Sequence, residues 1–239
     1  MLNINVLTFG LLGLASAVPL STRQIPYYPP TSKSLGFQLI VNVTDPSKDL
    51  TPPVNGWAFS AIHTGAGFNE AVISENVTAS RIFYQNGTAE EIRYREGSVL
   101  SDAGTPAYPW GIQVESKDDT AGEEASVSVN VGGGTPAVLL TQFPEPLSYL
   151  TGTNPGTYAI CPRNVPYYNT VYNVVRWTYD AYNNATGLYE HTVPEDCAEV
   201  KLLPQCAELP DLLEWDSSSH DFAATSNCYD DVSAINWAQ

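Results

Sequence analysis

The chain is expected to fold as an all-β protein, a single antiparallel β-sandwich or closed barrel of about ten short strands, with a β-trefoil-like arrangement as the alternative. Three observations predict this. Apolar and polar side chains alternate with period two in short runs, the cleanest being residues 126–131 (SVSVNV). Gly, Pro and Asn cluster between these runs at near-regular spacing. No stretch sustains a helical period.

Residues 1–17 (MLNINVLTFGLLGLASA) close an apolar run on Ala15-Ser16-Ala17, an A-x-A cleavage pattern. The run is short of the ~18 apolar residues a membrane helix requires, and nothing downstream approaches that length. A signal peptide over 1–17 and a secreted chain without membrane insertion are therefore expected. Residues 18–34 are rich in Pro, Ser and Thr and read as an extended leader without a core of its own.

An all-β domain is placed over 35–206. In 37–44, Phe37, Leu39, Val41 and Val43 share one face, while Gln38, Asn42 and Thr44 share the other with Ile40. Residues 45–55 are turn chemistry. Residues 57–63 then run in, Gly65-Ala66-Gly67 turns the chain, and 70–74 run out. A strand followed by G-x-G invites a dinucleotide-binding reading. Glu70 stands where the third glycine belongs and Ala71-Val72-Ile73 does not open a helix, so the stretch reads as a hairpin. Residues 80–85 form a strand, Asn86-Gly87 a hairpin turn, and 91–95 (EIRYR) the return. Strands follow at 110–115 and 126–131, separated by the acidic loop 116–124. Gly132-Gly133-Gly134 turns into 137–142 (AVLLTQ), and 157–163, 171–180 and 187–193 complete the set. Along 171–180, Val171, Val175, Trp177 and Tyr179 face the core. Residues 207–239 read as an acidic tail packed on the domain.

Asp and Glu number 26 against 10 Lys and Arg, a net charge of −16. Such a surface repels phosphate backbones and anionic lipid, which excludes nucleic acid as a partner. The four cysteines, Cys161, Cys197, Cys206 and Cys228, are even in number and lack C-x-x-C spacing. In an oxidising compartment they form two disulfides, with three connectivities open. Four N-x-S/T sequons, at Asn42, Asn76, Asn86 and Asn184, fit passage through a glycosylating secretory pathway and surface positions.

His63, His191 and His220 stand apart in sequence and no metal-ligand spacing joins them, so neither metal nor cofactor is expected. No G-x-S-x-G marks a nucleophile, and no catalytic residue is assigned. Adjacent acidic doublets point to opposite strand faces and read as solvated surface. The aromatic stretch 167–182 carries the binding candidates. Tyr168, Tyr172, Arg176 and Tyr182 lie opposite the core face, where rings with a polar handle suit a sugar face or a protein partner. His63 and Asn69, flanking the glycine turn, are the second candidate patch.

The pattern W-x-x-x-x-x-H-T-G-A-G-x-N-x-A from Trp57 to Ala71, followed by RIFYQNGT, resembles a family of small secreted proteins of filamentous ascomycete fungi with no assigned function. The likeness is strongest over 35–88. It implies an extracellular or cell-wall location and supplies no catalytic residues. The reading is a glycosylated, non-enzymatic protein binding a polysaccharide or a host or cell-wall protein. A carbohydrate-active hydrolase using two carboxylates and a structural wall component are the alternatives.

Overall fold

A computed structural model of the chain describes residues 27–120, 124–143, 147–153 and 155–237. The expected signal peptide lies outside them. The first strands are β1 (Ser32–Ser34), β2 (Gly36–Val43), β3 (Ala58–Gly65), β4 (Phe68–Ser74) and β5 (Phe83–Asn86). A short helix, α1 (Ala89–Tyr94), precedes β6 (Ser98–Ala103), β7 (Tyr108–Val114) and β8 (Glu124–Val131). Then come β9 (Gly156–Val165), β10 (Thr170–Tyr179), β11 (Ala181–Asn183), β12 (Leu188–Glu190) and β13 (Ala198–Ala207). The short β14 (Ala223–Ala224) and β15 (Ser226–Cys228) finish the chain.

Nine antiparallel strands close into a barrel, in the order β9-β10-β4-β8-β7-β6-β5-β2-β13 and back to β9. The long ladders are β9–β10, from Thr170↔Val165 to Tyr179↔Gly156, and β2–β13, from Val43↔Val200 to Gly36↔Ala207. Narrower seams complete the ring: Val174↔Val72 joins β10 to β4, and Phe37↔Phe83 with Gly36↔Tyr84 joins β2 to β5. Strand β3 pairs along β4 and touches β2 at Ile40↔Ala58. The turn between β3 and β4 needs a left-handed residue, which Gly67 supplies at φ +79°.

The alternating positions point inward as expected. Phe37, Leu39, Val41 and Val43 meet Phe59, Val127, Val129, Ile160, Val175 and Trp177 in one buried cluster. Burying each such side chain contributes about 1.5–3 kcal/mol before entropy is set against it. The outer face is also covered in places. Residues Tyr229, Val232 and Ile235 close over Ile40 and Leu203, and Val72, Val174, Cys161 and Cys197 form a third cluster.

The disulfides are Cys161–Cys197, stapling β9 beside β13, and Cys206–Cys228, tying β15 to β13. Beyond β13 the chain holds on through discrete links. β14 pairs with β5, β15 pairs with β1, and Ser148 N–H donates to the Tyr229 hydroxyl at 2.6 Å.

Several expectations need correction. The 91–95 return strand is instead part of α1. Thr88 accepts from Glu91 N–H and Glu91 accepts from Thr88 N–H, a capping box that starts a helix where alternation suggested a strand. Residues 137–142 are buried at Val138, Leu139 and Leu140 but join no ladder beyond the isolated bridge Leu140↔Leu150. The strands β6 and β13 were not foreseen. Val171 is 62% exposed, since it lies near the hairpin tip where the barrel wall has ended. The leader supplies β1, and Tyr27 packs on the outer cluster beside Tyr229.

Candidate functional site

The tip of the β9–β10 hairpin, residues 166–169, is a tight turn in which Asn169 takes φ +49° and Tyr168 N–H donates to Val165 O at 3.0 Å. Because Val174 pairs with Val72, this hairpin runs alongside the β3–β4 hairpin. The two tips place four rings in line. The His63 and Tyr167 ring centroids are 5.5 Å apart at 87°, Tyr167 and Tyr168 are 5.0 Å apart at 71°, and Tyr168 and Tyr172 are 5.7 Å apart at 59°. The first two are edge-to-face pairs, which add about 0.5–1.5 kcal/mol each, and the third is tilted, so the rings hold one another in place. Tyr167 and Tyr168 are 58% and 41% exposed, and His63 is exposed beside them. Tyr172 leans on the outer cluster around Val72 and Val174.

The structure thus joins His63, Tyr168 and Tyr172, which the sequence placed in two separate patches. Tyr167, the ring that joins them, was left out of the candidate set; its signal is its place at the tip, directly after Pro166. Asn69 pairs with His63 across the hairpin but is buried, and its N–H donates to Asn130 Oδ1 at 3.0 Å. Arg176 is not a surface group either. Its guanidinium is ion-paired with Glu70 and lies 3.7 Å from Glu124, with its side chain only 13% exposed. Tyr182 is remote in topology, paired with Tyr189 across β11–β12.

Arg176 belongs to a charged network on the outer barrel face. Arg163 grips Glu124 with both Nε and Nη2, at 2.7 and 2.9 Å, and reaches Asp196 at 2.5 Å. Hydrogen bonds donated to Glu124 and then to Asp196 push the Arg163 pKa up, and the guanidinium in turn holds the Asp196 carboxyl below the usual range. Cys161 and Cys197 approach Glu124 here, but both sulfurs are consumed in the disulfide and offer a metal no thiolate. His191 and His220 each face a carboxylate of their own, Asp180 at 2.6 Å and Asp102 at 2.7 Å. Of the sequons, Asn76 and Asn184 are exposed, whereas Asn42 and Asn86 are half-buried within β2 and β5.

A family model described as a domain of unknown function (DUF7907) matches residues 34–206. The chain is 42% identical over 224 residues to "Antigenic protein SchS34" of Stachybotrys chartarum, covering 93% of this chain and 99% of that protein. No solved structure matches.

Proposed function

We propose a function from one premise: the chain belongs to the family described as a domain of unknown function, DUF7907. It is a secreted, glycosylated, non-enzymatic fungal protein, extracellular or bound to the cell wall, that holds a polysaccharide on the ring row His63–Tyr167–Tyr168–Tyr172. The observation carrying this reading is the row itself, in which the exposed rings of Tyr167 and Tyr168 are held between His63 of the adjoining hairpin and the half-buried Tyr172. Tyrosine presents an apolar face to sugar C–H groups and a hydroxyl to sugar oxygens. Rings already ordered lose little entropy on binding. Two disulfides and a relative named as an antigenic protein are compatible with life outside the cell.

The test is retention of the glycosylated chain on insoluble chitin, β-glucan and cellulose, with released sugar assayed in the supernatant. Retention on one polymer that falls about tenfold in Tyr168→Ala is expected, from loss of a stacking contact worth about 1.4 kcal/mol. Released sugar would redirect the search to a carboxylate-based hydrolase. No retention on any polymer, or retention that Tyr168→Ala leaves unchanged, would overturn the reading.

A further inference from the structure

Away from the ring row, a cavity of about 520 Å³ lies between the barrel and the first part of the C-terminal segment. Ser60, Arg81, Ser101 and Asp102 line the barrel side, with Leu212 and Asp216 opposite. The opposite wall is fixed. Asp216 accepts from Ala107 N–H at 2.7 Å and from Leu213 N–H at 2.8 Å. Ser217 and Ser218 N–H both donate to Ala107 O, at 2.8 and 3.0 Å. The cavity is therefore already built.

Its polar groups are unevenly satisfied. Asp102 pairs with His220 Nε2 at 2.7 Å and accepts from the Tyr84 hydroxyl at 3.3 Å. Asp216 is occupied by the two amides. Asp211, the remaining acid on the lining, is exposed to solvent. Arg81 differs. Its guanidinium lies over the Trp110 ring, 5.7 Å from the centroid, and among the described residues it has neither hydrogen bond nor ion pair. Burial pushes its pKa down, yet guanidinium stays charged at any ordinary pH. The Ser60 and Ser101 hydroxyls likewise find no partner among the described residues, and Ser101 is 1% exposed. A half-buried guanidinium with neither hydrogen bond nor ion pair among the described residues keeps its donors available to an anionic group that reaches it through the cavity.

We infer that this cavity binds a small hydroxylated carboxylate about the size of a uronic acid, its carboxylate on Arg81. The guanidinium fork matches a carboxylate bidentately. The Trp110 ring holds the fork from behind. Hydroxyls on the ligand meet Ser60, Ser101 and the remaining lone pairs of Asp102. A bare anion would instead face Asp102 and Asp216 with no compensating donor, and a neutral sugar would leave Arg81 unpaired. The volume falls within the range of about 300–1,000 Å³ usual for small-molecule sites.

Calorimetric titration of the intact chain with glucuronate, glucose and acetate at physiological salt tests this, with amide shifts at Ser101 and Asp102 followed by NMR. Glucuronate is expected to bind and to move those amides. Arg81→Gln should weaken it at least about tenfold, the loss of a charged hydrogen-bonded pair. Arg81→Lys, which keeps the charge but not the fork, should fall between, and Tyr168→Ala should bind as the parent does. Absence of glucuronate binding, binding unchanged in Arg81→Gln, or equal binding of glucose or acetate would overturn the inference. Failure here leaves the polymer-retention result untouched, because the ring row and the cavity share no residue.

Discussion

The barrel and the segment that follows it are held by opposite means. In the barrel, every strand shares ladders with two neighbours and sends alternate side chains into one cluster, so loss of one contact is spread over many. From residue 208 onward the chain adds only the small apolar cluster of Tyr229, Val232 and Ile235 over Ile40 and Leu203. For the rest it depends on separate anchors such as the disulfide at Cys228, the Tyr229 hydroxyl, the Asp216 carboxylate and two short pairings. A continuous core resists local opening, whereas discrete anchors can be released one at a time. The ring row stands on the first kind of structure and the Arg81 cavity borrows a wall from the second.

The sharpest way to break this contrast is inside the barrel. Phe59 is fully buried and meets Phe83 edge-on at 5.4 Å. Phe59→Ala should cost about 3–5 kcal/mol, and chemical denaturation should show the barrel and the C-terminal segment lost together in one transition. An intermediate effect is expected from the Cys206→Ser, Cys228→Ser double variant. Removing a cross-link between residues 22 apart should cost about 3 kcal/mol. Hydrogen exchange should speed up in the C-terminal segment while the amides of β9 and β10 stay protected. If both regions lost protection equally, the contrast would fail.

The smallest effect concerns Asp216. Hydrogen bonds, chiefly from Ala107 N–H and then from Leu213 N–H, hold its carboxyl below the ordinary aspartate value of about 3.9. A depressed folded value means that the contribution is complete above that pH and is lost as pH falls through the folded pKa. NMR shifts of the Ala107 and Leu213 amides should therefore change as pH falls through a value below that of an unperturbed aspartate. Asp216→Asn should abolish that step and leave the shifts of β9 and β10 in place.

Much of the barrel could be read from the chain because its strands bury one face. SVSVNV in β8 and the Phe37–Leu39–Val41–Val43 set in β2 both show it. β13 escaped because it buries both. Val200 and Leu202 point inward and Leu203 outward under Tyr229, which erases the alternation, and Pro204 reads as a breaker. In α1, Ile92 and Tyr94 mimic a strand, and only the Thr88–Glu91 pair announces a helix. The binding candidates were half legible. Tyrosines on one strand face can be counted from sequence, but the meeting of His63 with Tyr167 depends on the register Val174↔Val72 between distant strands. Arg81 gave no signal at all. Its isolation is a property of neighbours drawn from five parts of the chain.

Closure of the barrel has a consequence for behaviour at high concentration. A sheet that ends in an open strand offers unpaired amides to another molecule and can grow by edge-to-edge addition into fibres. The ring leaves no such margin along its nine strands. Outside it, β3 pairs along β4 but meets β2 only at Ile40↔Ala58, which leaves its other edge largely open, and β11–β12 is a separate ribbon three residues long on each side. Backbone templating between crowded copies of this chain is thus confined, among the described residues, to the open edge of β3 and to the short strands outside the ring.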